Sequence, residues 1–243
     1  MRVHAVIIAA GSGTRMGQDI PKQFINVHDK PVLVYTLEGF QRHPDIDDIT
    51  LVCLDGWQEV ARAYASQFGI DKLREIVAGG ASGQESIRNG VLAVEASGAD
   101  AGDLVVIHDG IRPLVDAGVL SDVVRVAAER GNAVTSLPYN EQIFVVDEAD
   151  PATTTEFIPR ETLRRVSTPQ AYRLGELADA YREAFATGVG VGGSHYTNTM
   201  MVALGHRLNF AAGSDRNIKL TTTDDLEMFK AWLDLEEDTW LKK

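Results

Sequence analysis

The chain has 243 residues, 44% of them hydrophobic, and its 35 acidic against 23 basic side chains give a net charge of −12. This length and composition fit one α/β domain with a sizeable core rather than a disordered chain, and the acidic balance argues against a binder of duplex nucleic acid or of an anionic membrane surface. The single cysteine, Cys53, leaves neither a disulfide framework nor a multi-cysteine zinc site.

Residues 3–10 are nearly continuously apolar, as in a strand buried on both faces. The run ends in a glycine turn, too early for a signal peptide, and no stretch approaches the ~20 apolar residues of a membrane span. A soluble, cytoplasmic protein is therefore expected. Similar short runs at 49–54, 75–78, 104–107 and 133–137 predict further strands. Amphipathic segments at 32–41, 57–68, 85–96 and 118–130 alternate with them and predict helices. That alternation implies a Rossmann-like, mostly parallel sheet with helices on both faces. From 139 to 168 the rhythm breaks around the polar stretch DEADPATTTEF, which predicts an excursion in the form of a β-arm with a strand at 143–146. A helix at 174–186, a glycine connector at 188–193 and a strand at 207–211 follow. The last helix is expected at 226–235, with Thr223 or Asp224 as N-cap and Asp224 and Asp225 at its positive end.

Parallel sheets bind ligands at the carboxyl ends of their strands. The first such end reads AAGSGTRMGQDIPKQF, residues 9–24. Gly11, Gly13 and Gly17 let the backbone turn tightly and offer N–H groups to phosphate oxygens, and Arg15 and Lys22 add two cations. The spacing fits neither a P-loop nor a dinucleotide fingerprint, because Met16 stands where the third glycine belongs and no Lys-Ser/Thr follows Gly17. Gly80 begins a second glycine turn in which Ser86 and the backbone are placed to read a nucleobase edge, with Arg88 facing solvent. After the fourth strand comes HDGIRP, residues 108–113. Asp109 there is a candidate ligand for Mg²⁺, Arg112 a partner for Asp109 or for a phosphate, and His108 a packing residue rather than a base. Lys219, expected on a strand just before the last helix, needs an anion to offset its burial.

Together AAGSGTRM, PKQF, HDGIRP, the TPQ at 168–170 and the NIKLTT before DDL resemble a family across residues 3–235. It comprises the cytidylyltransferases that make CDP-methylerythritol for isoprenoid precursors and their ribitol-5-phosphate relatives, with a nucleotide-diphospho-sugar transferase type of fold. The resemblance implies CTP and a small polyol phosphate as substrates, Mg²⁺ as cofactor and a homodimer formed through the arm. It implies Arg15, Lys22 and Lys219 as catalytic cations. Ala9, Ala10, Gly11, Gly13, Gly80, Ser86 and Asp109 would bind the nucleotide, Asp109 also holding the metal. Arg112, Gln142, Arg160, Thr168 and Thr197 would bind the acceptor, Arg160 in the neighbouring subunit's site. In the turn after the double glycine Gly83 replaces an arginine of the pattern, but the CTP half still matches better than the acceptor half, where Glu141-Gln142 and Asn198-Thr199-Met200-Met201 depart from it. The leading expectation is transfer to 2-C-methyl-D-erythritol 4-phosphate, with D-ribitol 5-phosphate or another polyol phosphate as the alternative. A non-catalytic nucleotide-binding protein is the distant third reading.

Overall fold

The structure is a computed structural model and describes residues 1–11, 20–193 and 196–237. The chain runs through β1 (Val3–Ala9), a 3-10 turn (Lys22–Phe24), the hairpin β2 (Asn26–Val27) and β3 (Lys30–Pro31), α1 (Val32–Arg42), β4 (Asp48–Cys53), α2 (Gln58–Gln67), β5 (Leu73–Ala78), α3 (Gly83–Ala96), β6 (Leu104–Asp109) and α4 (Ala117–Arg130). It continues through β7 (Asn132–Pro138), the hairpin β8 (Ile143–Val145) and β9 (Glu156–Ile158), β10 (Arg164–Arg173), α5 (Leu174–Thr187), α6 (Thr197–Ala203), β11 (Phe210–Ala212) and α7 (Thr223–Glu237). Seven strands form one sheet in the order β11-β7-β10-β6-β1-β4-β5. β5, β4, β1 and β6 pair in parallel, and β11 is parallel to β7. β10 runs antiparallel to both β6 and β7 and is the one reversed strand among those described in the sheet.

The continuous apolar run of β1 follows from its central place. Val3, Ala5, Ile7 and Ala9 face a core shared with Leu33, Leu37 and Phe40 of α1 and Leu120, Val123 and Ala127 of α4. Val6 faces the other core, with Val91 of α3, Leu177 and Tyr181 of α5, and Met200 and Met201 of α6. Both sides of the strand are dry, so neither can be polar. A third cluster of Val27, Val32, Ile111, Leu220 and Phe229 seats α7 beside the end of β6.

Four expectations need correction. The arm is shorter than 139–168, because residues 164–168 belong to β10. That strand is hidden in the sequence by Pro169, which cannot donate to a ladder; the register shifts between Ser167 and Gln170 accommodate it as a bulge. Lys219 is on no strand but in an irregular stretch before α7. The cap of α7 is Thr222 rather than Thr223 or Asp224. Its hydroxyl accepts from the Asp225 N–H at 3.2 Å, and the Asp225 carboxylate accepts from the Thr222 N–H at 2.8 Å, a reciprocal capping box. Finally, α6 was not predicted; it starts at Thr197.

Candidate active site

The carboxyl ends of β1, β5 and β6 and the stretch before α7 meet on one side of the sheet. At the end of β1, the buried Gln23 donates to the carbonyls of Ala9 at 2.8 Å and Gly11 at 3.0 Å. The Pro-Lys-Gln run is thereby tied to the strand exit, which fixes the half-buried Lys22 beside it. Gly13 and Arg15 lie outside the described residues. Ala10 approaches the β5–α3 turn so closely that a Cβ at Gly79 would come within 2.4 Å of the Ala10 Cβ, and only glycine permits that contact. Within the turn the buried Ser86 hydroxyl donates to the Ser82 carbonyl at 2.9 Å and accepts from the Gly80 N–H at 3.0 Å. Ser86 therefore shapes the turn with its side chain. Arg88 does not face solvent as expected: its guanidinium lies 4.1 Å from the Phe185 ring centre and 3.6 Å from Glu85.

The densest polar cluster surrounds Asp109. Its Oδ2 accepts from Arg112 Nε at 2.9 Å and lies 3.2 Å from Lys219 Nζ, which is 3.3 Å from Oδ1. The Asp109 N–H donates to the Thr168 hydroxyl at 3.1 Å. Burial works against a charge on Asp109, but Lys219 first and Arg112 second outweigh it and hold the carboxyl below the usual carboxylate range. His108 behaves as expected of a packing residue. It is fully buried, its Nε2 donates to the Arg112 carbonyl at 3.1 Å, and burial pushes its pKa down to about 4. Two cations on one carboxylate give the cluster a formal charge of 2 − 1 = +1 in a chain of net −12. Such a cluster in a partly enclosed site favours an anion.

A cavity of about 370 Å³ opens over this cluster, with Asp109, Arg112, Thr168, Thr197, Asn198 and Lys219 in its walls. Five expected residues are thus brought together, along with Asn198 from the departing segment. Thr197 is tied back at 2.8 Å to the buried Tyr181 hydroxyl, which donates to Gln84 Oε1 at 3.1 Å. Gln142 and Arg160 are not in these walls. Both are exposed on the arm, where Arg160 donates to the Asn140 carbonyl at 2.8 Å. Among the described residues no three His, Cys, Asp or Glu side chains converge as a metal cage. Asp109 is the one carboxylate among the described residues in these walls, and a single carboxylate completed by substrate phosphates and water is a common shell for Mg²⁺. Two residues of the site were not singled out from the sequence. Gln23 was visible only as part of PKQ, and Asn217 reads there as an ordinary polar loop residue.

The family described as IspD, 2-C-methyl-D-erythritol 4-phosphate cytidylyltransferase, matches residues 3–235. A ribitol-5-phosphate cytidylyltransferase of Lacticaseibacillus paracasei is 55% identical over 231 residues, covering 95% of this chain and 97% of that protein. A 2-C-methyl-D-erythritol 4-phosphate cytidylyltransferase of Syntrophotalea carbinolica is 36% identical over 243 residues, covering 98% and 99%. The crystal structure of a 4-diphosphocytidyl-2C-methyl-D-erythritol synthase from Anaerococcus prevotii superposes with a TM-score of 0.80 over 96% of each chain at 23% identity, a likeness of fold.

Proposed function

We propose D-ribitol 5-phosphate as the acceptor, from the premise that the chain belongs to the IspD family of cytidylyltransferases and is a CTP-dependent nucleotidyltransferase. The observation that carries the choice is the 55% identity across 95% of the chain with a ribitol-5-phosphate enzyme, against 36% with a methylerythritol-phosphate one. This reverses the order in which the motifs alone ranked the two acceptors. The departures at Gln142 and Asn198 agree with it, because they fall in the acceptor half and leave the phosphate-binding cations intact.

In this reading a phosphate oxygen of the acceptor attacks the α-phosphorus of CTP in line. A new P–O bond forms as the bond to pyrophosphate breaks, and pyrophosphate leaves with the electron pair. The nucleophile is already anionic, so alignment and charge neutralisation carry the reaction without a strong base. Lys219 and Arg112 draw the acceptor phosphate to the α-phosphate, and Asp109 holds both cations in place. Arg15 and Lys22 take the triphosphate, with the backbone of Ala9, Ala10, Gly11 and Gly13, and Gly80 and Ser86 form the base side. Thr168 and Thr197 meet the polyol. Asp109 together with the triphosphate would hold Mg²⁺, which neutralises phosphate charge when bound.

The arm supplies the rest. Phe144, Val146 and Phe157 are 59%, 62% and 60% exposed, an apolar strip of the kind that a partner covers. A second copy seated there would bring Arg160 and Gln142 to the acceptor and make the enzyme a homodimer. No described helix is long and apolar enough to cross a membrane, and a buried free thiol at Cys53 suits the reducing cytoplasm. The test is pyrophosphate release from CTP and Mg²⁺ with the two acceptors in parallel. A kcat/KM at least about tenfold higher with D-ribitol 5-phosphate is expected. Preference for 2-C-methyl-D-erythritol 4-phosphate would restore the first ranking, and CTP binding without turnover of any polyol phosphate would defeat the enzymatic reading.

A further inference from the structure

We propose that Asn217 is a positioning residue for cytidylyl transfer, closing a hydrogen-bonded ring that sets Arg112 and Lys219 against Asp109. The inference rests on the reading of this cluster as the reacting site. Four residues form the ring. The Asp109 N–H donates to the Thr168 hydroxyl at 3.1 Å, and Asn217 Nδ2 donates to the Thr168 carbonyl at 2.7 Å. Arg112 Nη1 donates to the Asn217 carbonyl at 2.7 Å, and Arg112 Nε returns to Asp109 at 2.9 Å. Asn217 joins this ring through both its backbone and its side chain, and so fastens the stretch before α7 to β10 and to the loop after β6.

The stretch needs such fastening because residues 217–221 form neither helix nor strand. Lys219 sits between two anchors, Asn217 on one side and the Leu220 N–H, bonded to the Ile111 carbonyl at 2.9 Å, on the other. Releasing the first anchor frees the backbone that carries the Lys219 ammonium. A second observation sets Asn217 apart from a space-filling residue. It is 4% exposed, and its Oδ1 is buried without a partner. An unpaired buried acceptor is unfavourable, and an apolar side chain of similar shape would avoid it. The amide is worth keeping only for its Nδ2 donor and the geometry that donor imposes.

Asn217→Ala and Asn217→Leu remove the donor and the orphan acceptor together. Each is expected to lower kcat about 30-fold, as misplacement of reacting groups by a fraction of an ångström does, while the CTP KM stays within about threefold and the Leu variant keeps its Tm. In a Lys219→Ala background the group that this anchor positions is already gone, so the same changes should lower kcat by less than about threefold more. A crystal structure of the Ala variant should show Lys219 Nζ withdrawn from Asp109. Equal losses in both backgrounds, an undisturbed Lys219–Asp109 pair, or failure of both variants to fold would each overturn the proposal. Turnover is read with whichever acceptor the wild type uses. A wild type inert with both acceptors defeats the functional reading, while the crystal structure still decides the role of Asn217.

Discussion

The Asp109 end of the sheet and the arm solve opposite problems. Around Asp109, groups from β6, β10 and the stretch before α7 bond to one another within a single chain, and the residues behind them are buried. The arm is a two-stranded hairpin paired over three residues, Ile143–Ile158, Phe144–Phe157 and Val145–Glu156. It is held by local bonds such as Thr154 to the Val145 carbonyl at 2.6 Å, and it turns large apolar side chains outward. An isolated hairpin of this kind is marginal in water. The contrast separates two kinds of residue: those that other parts of the chain bury and bond, and those, like Arg160, that the chain leaves exposed on its arm.

Breaking the self-sufficient region should have the larger effect. Lys219→Ala leaves Asp109 with Arg112 and removes one of the two cations among the described residues of the cavity wall. Its kcat should fall at least ~100-fold, the loss expected when a preorganised charge-stabilising donor goes. Tm should fall modestly, because the half-buried Asp109 loses one of its two counter-charges but keeps Arg112 at 2.9 Å. A kcat within threefold of wild type would remove Lys219 from the chemistry. The arm should respond differently. Arg160→Ala is expected to raise the acceptor KM about tenfold, about the weight of one charged contact to a phosphate, with the CTP KM and Tm unchanged. Phe157→Asp should raise the same KM and reduce the mass in sedimentation to that of one chain. A rise in the CTP KM with Arg160→Ala would place the arm on the nucleotide instead.

The same division governs what could be read from the sequence. Strands buried on both faces announce themselves by unbroken apolar runs, which is why β1, β4 and β6 were legible to within one or two residues. The strand ends then named Asp109, Arg112 and Lys22 by position alone. β10 was illegible because Pro169 and three arginines at 164, 165 and 173 disguise it, and its place between β7 and β6 depends on long-range pairing that no local pattern encodes. Lys219 could be suspected as a cation in need of an anion. Asn217 could not, since an amide acquires its role only from two carbonyl and guanidinium partners that are 49 and 105 residues away. Gln142 and Arg160 came from the resemblance, and an isolated chain leaves them on its surface.

The opposite end of the sheet provides the smallest effect and the cleanest control, since it carries a closed polar network remote from the cavity. His4 is buried, with Nδ1 2.8 Å from Asp48 and Nε2 3.4 Å from Asp103, while Arg2 reaches Asp48 at 3.0 Å. Burial opposes a charge on His4, but the hydrogen bonds and charges of Asp48 and then Asp103 outweigh it and raise its pKa above 6.5. Asp103, pushed up by burial but pulled lower overall by the N–H groups of Arg2 and Asp100, is already ionised at that pH. Because the folded pKa of His4 exceeds the unfolded one, its contribution is complete below about pH 6.5 and is lost as pH rises through the folded value. Tm should therefore fall as pH rises from 6 to 8.5. His4→Gln should melt lower at pH 6 and lose that slope, with kcat at pH 7 within twofold of wild type. A slope that survives the substitution would locate the titrating group elsewhere. A kcat that falls with it would mean that the network at one end of β1 is felt at the other, five residues along the strand, and that the two ends of the sheet are not independent.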